Sequence, residues 1–209
     1  MENPLSSMKS AATSLVVLTK DKTMETLISS LPPLAPVSEQ DVYEALLRSI
    51  ISQQLSTKVA KVISNRFLSF FPENDPKPDL LIATHDEHLR GLGLSWQKIK
   101  YVKDVAKFKL EGALEHKAIA ALNDEEVISQ LTKIKGVGKW TAEMILIFSL
   151  NRQNVFPLDD LGIQNAMVRL YNFTETGKPL KARMLEQAEL WQPYRSIASR
   201  YLWKWLDNS

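Results

Sequence analysis

The chain has 209 residues, of which 44% are hydrophobic and 24% charged, so its composition is that of a globular protein and not of a disordered chain or a fibre. It contains no cysteine, which excludes disulfides, a thiolate nucleophile and any zinc or iron–sulfur site that depends on cysteine ligands. The 26 Lys and Arg against 24 Asp and Glu leave a net charge of +2, so overall charge does not indicate a nucleic-acid partner.

Targeting segments are not expected. No apolar run approaches the roughly 18 residues of a membrane-spanning helix. Residues 1–10 lack the basic start and the long apolar core of a secretory signal. We therefore expect an intracellular protein that makes no membrane contact.

Helical periodicity runs through most of the chain. Apolar residues recur at three- and four-residue spacing over residues 42–55 and again over 59–70, and no run alternates as a strand does. Prolines or glycines interrupt this pattern within residues 31–36, 72–78 and 91–93. We therefore predict an all-α protein with about nine or ten helices and little or no sheet.

Capping residues indicate where three of these helices begin. Ser38 precedes the first long periodic segment. Thr84 stands three residues before Glu87, and Asn123 three before Glu126, which is the spacing of a capping box. We predict a helix start at each of the three positions.

The interruptions also suggest two helical lobes within one unit that spans residues 1–209. Residues 40–158 are predicted to form a helical barrel lobe, and residues 1–39 together with 159–209 to form the second lobe. No internal repeat and no low-complexity tract is found.

A helix–hairpin–helix is predicted at about residues 125–149. The first helix is expected to end at the lysines before Gly136, and the second to begin at about Lys139. Between them Gly136 and Gly138 make a turn, and positive φ is available at both. A mononucleotide P-loop is excluded, because Lys133 stands where that motif needs a glycine.

Such a hairpin presents the groups that bind a phosphate. Backbone N–H groups are exposed at the start of the second helix, and the side chains of Lys135, Lys139 and Thr141 lie nearby. The hairpin would grip a DNA backbone without reading its sequence. The other interpretation is an ordinary joint between two helices with solvated lysines.

Two aspartates, Asp159 and Asp160, open a helix shortly after Pro157. An aspartate at this place most often acts only as an N-cap. Successive residues at a helix start point about 100° apart, so if Asp159 caps the helix, Asp160 is free to project elsewhere. The helix N-terminus also favours a negative charge there.

The hairpin followed by the Pro-x-Asp-Asp helix resembles the helix–hairpin–helix DNA glycosylases of base excision repair. Within them the chain is most similar to the alkylpurine branch, DNA-3-methyladenine glycosylase II. The resemblance covers about residues 38–205. Several blocks in the right order are far more specific than any one of them. The matching blocks are the hairpin with the Pro-x-Asp-Asp helix, residues 47–56, residues 91–101 and residues 191–203.

The resemblance implies a cleft between the two lobes and an activity. The protein would bind damaged double-stranded DNA, flip a purine methylated at N3 or N7 out of the duplex and hydrolyse its N-glycosidic bond. Asp160 is implied as the catalytic aspartate. The sequence does not rank 3-methyladenine, 7-methylguanine, 1-methyladenine, ethenoadenine and hypoxanthine as substrates.

The resemblance also implies which residues bind DNA. Gln54 stands where a side chain wedges into the gap left by the flipped nucleotide, with Gln53 and Leu55 as alternatives. The basic stretch from Lys98 to Lys109 is interpreted as a solvated face, from which Lys98 and Lys100 could reach phosphates. The implied phosphate contacts of the hairpin are Lys135, Gly136, Gly138, Lys139 and Thr141.

The implied base pocket consists of Trp140, Met144, Leu161 and Trp203. Trp140 and Trp203 resemble aromatic walls that stack on a cationic purine, although core packing is the other interpretation of each. Met144 and Leu161 replace aromatic residues of the best-known bacterial relative, so the substrate range is left open.

Trp140 also bears on the reaction type. It stands where strand-cutting relatives have a Schiff-base lysine, so a monofunctional hydrolase is predicted. The alternatives are a bifunctional glycosylase/lyase that uses Lys139, and a non-catalytic helix–hairpin–helix module that binds DNA.

The remaining implications concern cofactors and location. No catalytic cofactor is expected, but the main-chain carbonyls of Thr132, Ile134 and Val137 would hold a structural Na⁺ or K⁺ at the hairpin. The protein is expected to be a monomer. It would lie in the cytoplasm with the nucleoid in a bacterium, and in the nucleus in a eukaryote.

Overall fold

The computed structural model describes residues 12–208, and the regular secondary structure of this part of the chain is helical, with no strand. The all-α prediction is confirmed. Residues 12–18 are helical, and twelve further α-helices follow, which is more than predicted because several have only five or six residues. Such short helices carry too few apolar residues for their periodicity to be recognised. The expectation about a secretory signal concerns residues 1–10, which lie outside the described residues.

The described chain divides into two compact units, at Val37/Ser38 and at Asn151/Arg152. No helix among the described residues is long and apolar enough to cross a membrane. The unit of residues 38–151 contains α2 (Val42–Ser52), α3 (Thr57–Ser69), α4 (Pro78–Ala83), α5 (Asp86–Gly91), α6 (Trp96–Leu110), α7 (His116–Ala120), α8 (Asp124–Leu131) and α9 (Lys139–Phe148). The other unit contains α1 (Lys22–Ser29), α10 (Leu161–Tyr171), α11 (Gly177–Glu189) and α12 (Arg195–Asp207).

Helix α6 is central to the unit of residues 38–151. It packs against both α2 and α4, and α9 packs against α2 and α8. The facing stripes of α2 and α6 are fully buried and apolar, so hydrophobic burial fixes how these two helices pack. Their buried residues include Leu46, Leu47, Ile50 and Ile51 on α2 and Ile99, Val102, Val105 and Ala106 on α6.

The other unit has a hydrophobic core and also buries a carboxylate, that of Asp21. Its Oδ1 caps α1 by accepting the N–H groups of Thr23 and Met24 at 3.0 and 3.2 Å. Its Oδ2 accepts the hydroxyl of Tyr171 at 2.6 Å and the indole N–H of Trp191 at 3.0 Å. These bonds tie α1 to the end of α10 and to the segment after α11, and they satisfy a charge that would otherwise be costly to bury.

The capping box at Asn123 and Glu126 is confirmed. Asn123 Oδ1 accepts the N–H of Glu126 at 2.9 Å, and Glu126 Oε2 accepts the N–H of Asn123 at 2.8 Å. Two backbone donors at the start of α8 are thereby satisfied reciprocally, which sets the first residue of the hairpin's first helix.

The other two predicted helix starts are wrong by one to three residues. Asp41, and not Ser38, caps α2, and its carboxylate accepts the N–H three residues on at 3.1 Å. Thr84 ends α4, and His85 is the residue that caps α5. Each stretch offers more than one side chain able to cap, and packing of the following apolar residues decides between them.

Candidate functional site

The hairpin joins α8 to α9 through residues 132–138, so the predicted second helix begins at Lys139 as expected. Gly136 has a φ of +84°, which is the left-handed region. Gly138 has a φ of −93° and a ψ of 174°, so the prediction that both glycines can use positive φ does not describe Gly138. Gly138 is instead the N-cap of α9, and an N-cap residue is extended.

Gly136 is required by space as well as by conformation. A Cβ atom added to it would lie 2.2 Å from Cδ2 of Tyr101, whose ring packs against the turn. A Cβ added to Gly138 would meet nothing within 4 Å. The two glycines therefore have different roles, and only Gly136 has to be a glycine for the turn to form.

The polar groups of the hairpin are partly engaged within the protein. The N–H of Lys135 donates to Asp104 Oδ2 at 2.8 Å. Lys139 Nζ lies 3.6 Å from Oε1 of the buried Glu143. Thr141 is only 4% exposed, which argues against its hydroxyl as a phosphate ligand. The exposed side chains of Lys135 and Lys139 keep the positive charge of the hairpin at the surface.

The turn after α2 lies beside the hairpin. Gln53 caps the C-terminal end of α2, and Gln54 is exposed with a φ of +58°. The side-chain amide of Gln53 donates to Gly136 O at 2.9 Å, which joins this turn directly to the hairpin. Gln53 is therefore engaged within the protein, and the exposed residue of the pair is Gln54.

The ammonium of Lys98, a partly buried residue, is engaged within the protein. Its Nζ donates to Ile51 O and to Gln53 O, both at 2.8 Å. Burial lowers the pKa of the Lys98 ammonium below its ordinary value. The structure thus corrects the interpretation of Lys98 as a residue that reaches a phosphate.

Asp160, and not Asp159, is the N-cap of α10. Asp160 Oδ1 accepts the N–H of Ile163 at 2.8 Å, and the residue is 9% exposed. Asp159 is exposed, and its Oδ1 lies 2.5 Å from Lys181 Nζ. The physical reason is a tight turn in which Asp160 N–H donates to Pro157 O at 3.0 Å, so that Asp160 is the last residue before the helix.

A second donor reaches the same oxygen of Asp160. The indole N–H of Trp203, on α12, donates to Asp160 Oδ1 at 2.9 Å. Two N–H groups at the positive end of a helix stabilise negative charge on this oxygen and hold the carboxylate in one orientation. Trp203 was predicted only as an aromatic wall, and the structure adds this contact.

Gly162 is a residue that the sequence analysis missed. A Cβ at this position would lie 3.0 Å from Asp160 Oδ1 and 3.2 Å from Trp203 Cδ1. The glycine therefore gives the indole room to approach the carboxylate. A glycine in the first turn of an otherwise periodic helix was the available signal, because it lowers helix propensity without serving a turn there.

The four predicted pocket residues all expose part of their side chains. Trp140 is 47% exposed and Leu161 is 73% exposed, whereas Met144 and Trp203 are half-buried. Trp191, by contrast, is completely buried in its unit, as expected for a structural tryptophan. Other apolar residues are as exposed, Trp96 at 48% among them, so exposure alone does not mark Trp140 as part of a pocket.

Comparison with known families gives one match that covers most of the chain. The family of the HhH-GPD superfamily base excision DNA repair proteins matches residues 47–193. This range includes the α2 turn, Lys98, the hairpin and the Asp160 helix.

Individual relatives agree with that match. The chain is 38% identical to DNA-3-methyladenine glycosylase 1 of Schizosaccharomyces pombe, over 88% of this chain and 80% of that protein. Among solved structures, it is similar to a 3-methyladenine DNA glycosylase of S. pombe in complex with abasic DNA, with a TM-score of 0.80 and 35% identity over 92% of this chain and 95% of that one. A DNA-3-methyladenine glycosidase from Bacillus halodurans gives a TM-score of 0.81 and 32% identity over 91% and 87% of the two chains.

Proposed function

This chain belongs to the HhH-GPD superfamily of base excision DNA repair proteins, and on that premise we propose that it is a monofunctional DNA glycosylase that releases alkylated purines. The observation that carries the proposal is the setting of Asp160. A buried carboxylate stands at a helix N-terminus, and two N–H donors orient one of its oxygens. The substrate class is supported by the relatives, which are a DNA-3-methyladenine glycosylase and a DNA-3-methyladenine glycosidase.

Hydrolysis of the glycosidic bond of a methylated purine requires little from the protein beyond a fixed negative charge. A purine methylated at N3 or N7 is cationic, so its glycosidic bond is weak. The base leaves with the bonding electrons, and the sugar becomes an oxocarbenium-like cation that water attacks. The Asp160 carboxylate would stabilise that developing charge and orient the attacking water. Because the Ile163 and Trp203 donors hold Asp160 in advance, no reorganisation is needed in the transition state.

The hairpin and the α2 turn would hold the damaged duplex. Exposed Lys135 and Lys139 attract the phosphate backbone, and the backbone N–H groups at the start of α9 position it. Gln54 would enter the gap left by the flipped nucleotide, since it is the exposed member of the Gln53–Gln54 pair. The flipped base would stack on an exposed aromatic side chain, for which Trp140, next to Lys139 in the chain, is the candidate.

Lys139 does not have the setting of a lyase nucleophile. Its Nζ is engaged with Glu143 Oε1, one helical turn along α9. The position that carries the Schiff-base lysine in strand-cutting relatives is Trp140, which has no amine. Hydrolysis by a water molecule therefore agrees better with these residues than a Schiff base.

A monovalent cation at the hairpin belongs to the proposal as a structural group. The Ile134 carbonyl already accepts the N–H of Val137 at 3.1 Å, and its second lone pair can still bind a cation. Thr132 O and Val137 O would complete the set of ligands. Na⁺ or K⁺ would strengthen the attraction of this turn for a phosphate, and it has no part in bond cleavage.

The test is to incubate the full chain with methylated double-stranded DNA and to identify the released bases. Release of 3-methyladenine or 7-methylguanine, without strand cleavage and without trapping of protein on DNA by borohydride, is the expected result. DNA binding without base release would favour the non-catalytic module. Borohydride trapping that disappears in Lys139→Gln would favour the lyase.

A further inference from the structure

Three side chains on one face of α6 contact the two DNA-binding turns. Lys98, Tyr101 and Asp104 are spaced by three residues, so each is a neighbour of the next on the helix surface. Lys98 contacts the α2 turn, Tyr101 packs against the hairpin glycine, and Asp104 binds the hairpin backbone. We call these three residues the α6 face.

Lys98 holds the end of α2. Its ammonium donates to Ile51 O, in the last turn of α2, and to Gln53 O, the carbonyl directly before Gln54. The last carbonyls of a helix have no partner within the helix and carry the negative end of its dipole, so a cation there stabilises the end of α2. Gln54 follows in the left-handed conformation, which is uncommon for a residue other than glycine.

Tyr101 and Asp104 hold the hairpin in the same way. The Tyr101 ring occupies the space that a Cβ of Gly136 would need, and Asp104 Oδ2 accepts the N–H of Lys135 at 2.8 Å. The amide of Gln53 then donates to Gly136 O at 2.9 Å. The α2 turn, the hairpin and the α6 face thus form a closed ring of contacts.

We propose that the α6 face is a positioning platform that fixes Gln54 relative to the hairpin, and that Lys98 is the residue through which it controls entry of Gln54 into the duplex. The hairpin grips phosphates of any sequence. A rigid connection between the hairpin and Gln54 directs Gln54 into the bound duplex where base pairing is already weakened. The inference rests on the proposed function in one respect, namely that Gln54 is the residue that enters the gap.

The test replaces Lys98 by methionine, which has a similar length but cannot donate to the two carbonyls. Affinity is measured for a duplex with a tetrahydrofuran abasic-site analogue opposite 2-aminopurine and for the undamaged duplex, over a range of salt concentrations. We expect the preference for the abasic duplex to fall about tenfold and the affinity for undamaged duplex to change less than about twofold. 2-Aminopurine fluoresces more strongly when it is unstacked. Its fluorescence in the complex with Lys98→Met should therefore be lower than in the wild-type complex.

Salt dependence separates positioning from a direct phosphate contact. A lysine that neutralises a phosphate contributes about 0.9 to the slope of log affinity against log salt concentration. If Lys98 positions Gln54, Lys98→Met leaves this slope unchanged. A slope reduced by about 0.9 together with an unchanged preference for the abasic duplex would overturn the inference.

Two further variants control for charge and for stability. Lys107→Met removes an exposed positive charge from the same helix and should leave the preference for the abasic duplex unchanged. Lys98→Arg should restore most of the preference, because a guanidinium can donate to both carbonyls. If Lys98→Met does not fold, Gln53→Leu removes the bond to Gly136 O and should produce the same loss of preference.

Failure of this inference can be distinguished from failure of the proposed function. A wild-type chain that releases no methylated base overturns the glycosylase proposal, but its binding to the two duplexes still tests Lys98. A wild-type chain that releases bases while Lys98→Met keeps its preference for the abasic duplex overturns only the role of Lys98.

Discussion

Asp160 combines a structural and a proposed chemical role in one side chain. Its Oδ1 caps α10 and accepts the indole N–H of Trp203, so the carboxylate that would act on the sugar is also part of the fold. Mutation must separate these roles. Asparagine does so, because it is as good an N-cap as aspartate but carries no charge.

We expect Asp160→Asn to abolish base release while the free energy of unfolding changes by less than about 1 kcal/mol. Affinity for DNA should stay within a few-fold, since the charge acts on the transition state. Single-turnover release assays, thermal unfolding and binding to undamaged duplex measure the three quantities. Asp159→Asn is the matched control: it weakens an exposed ion pair with Lys181, worth about 0–1 kcal/mol, and should keep full activity. Activity lost in Asp159→Asn but kept in Asp160→Asn would contradict the assignment.

Trp203 provides a second test at the level of single residues. Trp203→Phe keeps an aromatic ring but removes the N–H that donates to Asp160 Oδ1. A hydrogen bond to a charged group contributes about 1.5–3 kcal/mol, so we expect the single-turnover rate at saturating DNA to fall about tenfold or more. The apparent affinity for DNA should change little. A rate equal to wild type, or a loss confined to affinity, would mean that the ring acts only as a wall.

At the scale of elements, the hairpin shows why two glycines in one motif are not equivalent. Gly136 is left-handed and packed against Tyr101, whereas Gly138 caps α9 in an extended conformation with open space around it. Both glycines stand in the same short motif, and their spacing alone does not separate them. The distinction depends on a ring from α6, more than thirty residues earlier in the chain.

The two alanine substitutions should therefore differ sharply. Gly136→Ala forces a Cβ into Tyr101 and places alanine at positive φ, and we expect a loss of about 2–4 kcal/mol in unfolding free energy and weaker binding to damaged and undamaged duplex alike. Gly138→Ala should cost about 1 kcal/mol or less, because alanine is only a poorer N-cap. Chemical denaturation and duplex binding of the two variants measure this difference. Equal losses would show that Tyr101 does not confine the turn.

For the molecule as a whole, the chemical character of the residues proposed to contact the base predicts which lesions are released. A cationic base supplies its own leaving-group activation, whereas a neutral base such as hypoxanthine needs protonation or specific polar contacts. Met144 and Leu161 supply neither. The residues proposed to contact the base thus favour its recognition by stacking and by its positive charge over recognition by hydrogen bonds.

We therefore expect efficient release of 3-methyladenine and 7-methylguanine and much slower release of hypoxanthine. Trp140→Ala should reduce release of the cationic lesions more than that of any neutral one, because the stacked charge is what the ring would recognise. Single-turnover rates on duplexes that differ only in the lesion provide the comparison. Comparable rates for neutral and cationic lesions would contradict this account of selectivity.

The sequence by itself determined the features that depend on neighbouring residues. Helical periodicity, the capping box of Asn123 and Glu126, the start of α9 at Lys139 and the ordered motifs of the family all lie within short stretches of chain. Local hydrogen bonds and amphipathic faces follow from spacing alone, so the all-α class and the hairpin could be predicted. The choice between Asp159 and Asp160 as the cap could not, because both are good capping residues.

Only the tertiary structure decided the contacts between distant residues. Trp203 reaches Asp160 from 43 residues away, Lys98 reaches Ile51 from 47, and Trp191 reaches Asp21 from 170. Each pair forms because apolar packing brings two helices together and leaves a buried polar group that needs a partner. The packing depends on the summed burial of many side chains, and no local pattern in the sequence records which distant donor will then face which acceptor.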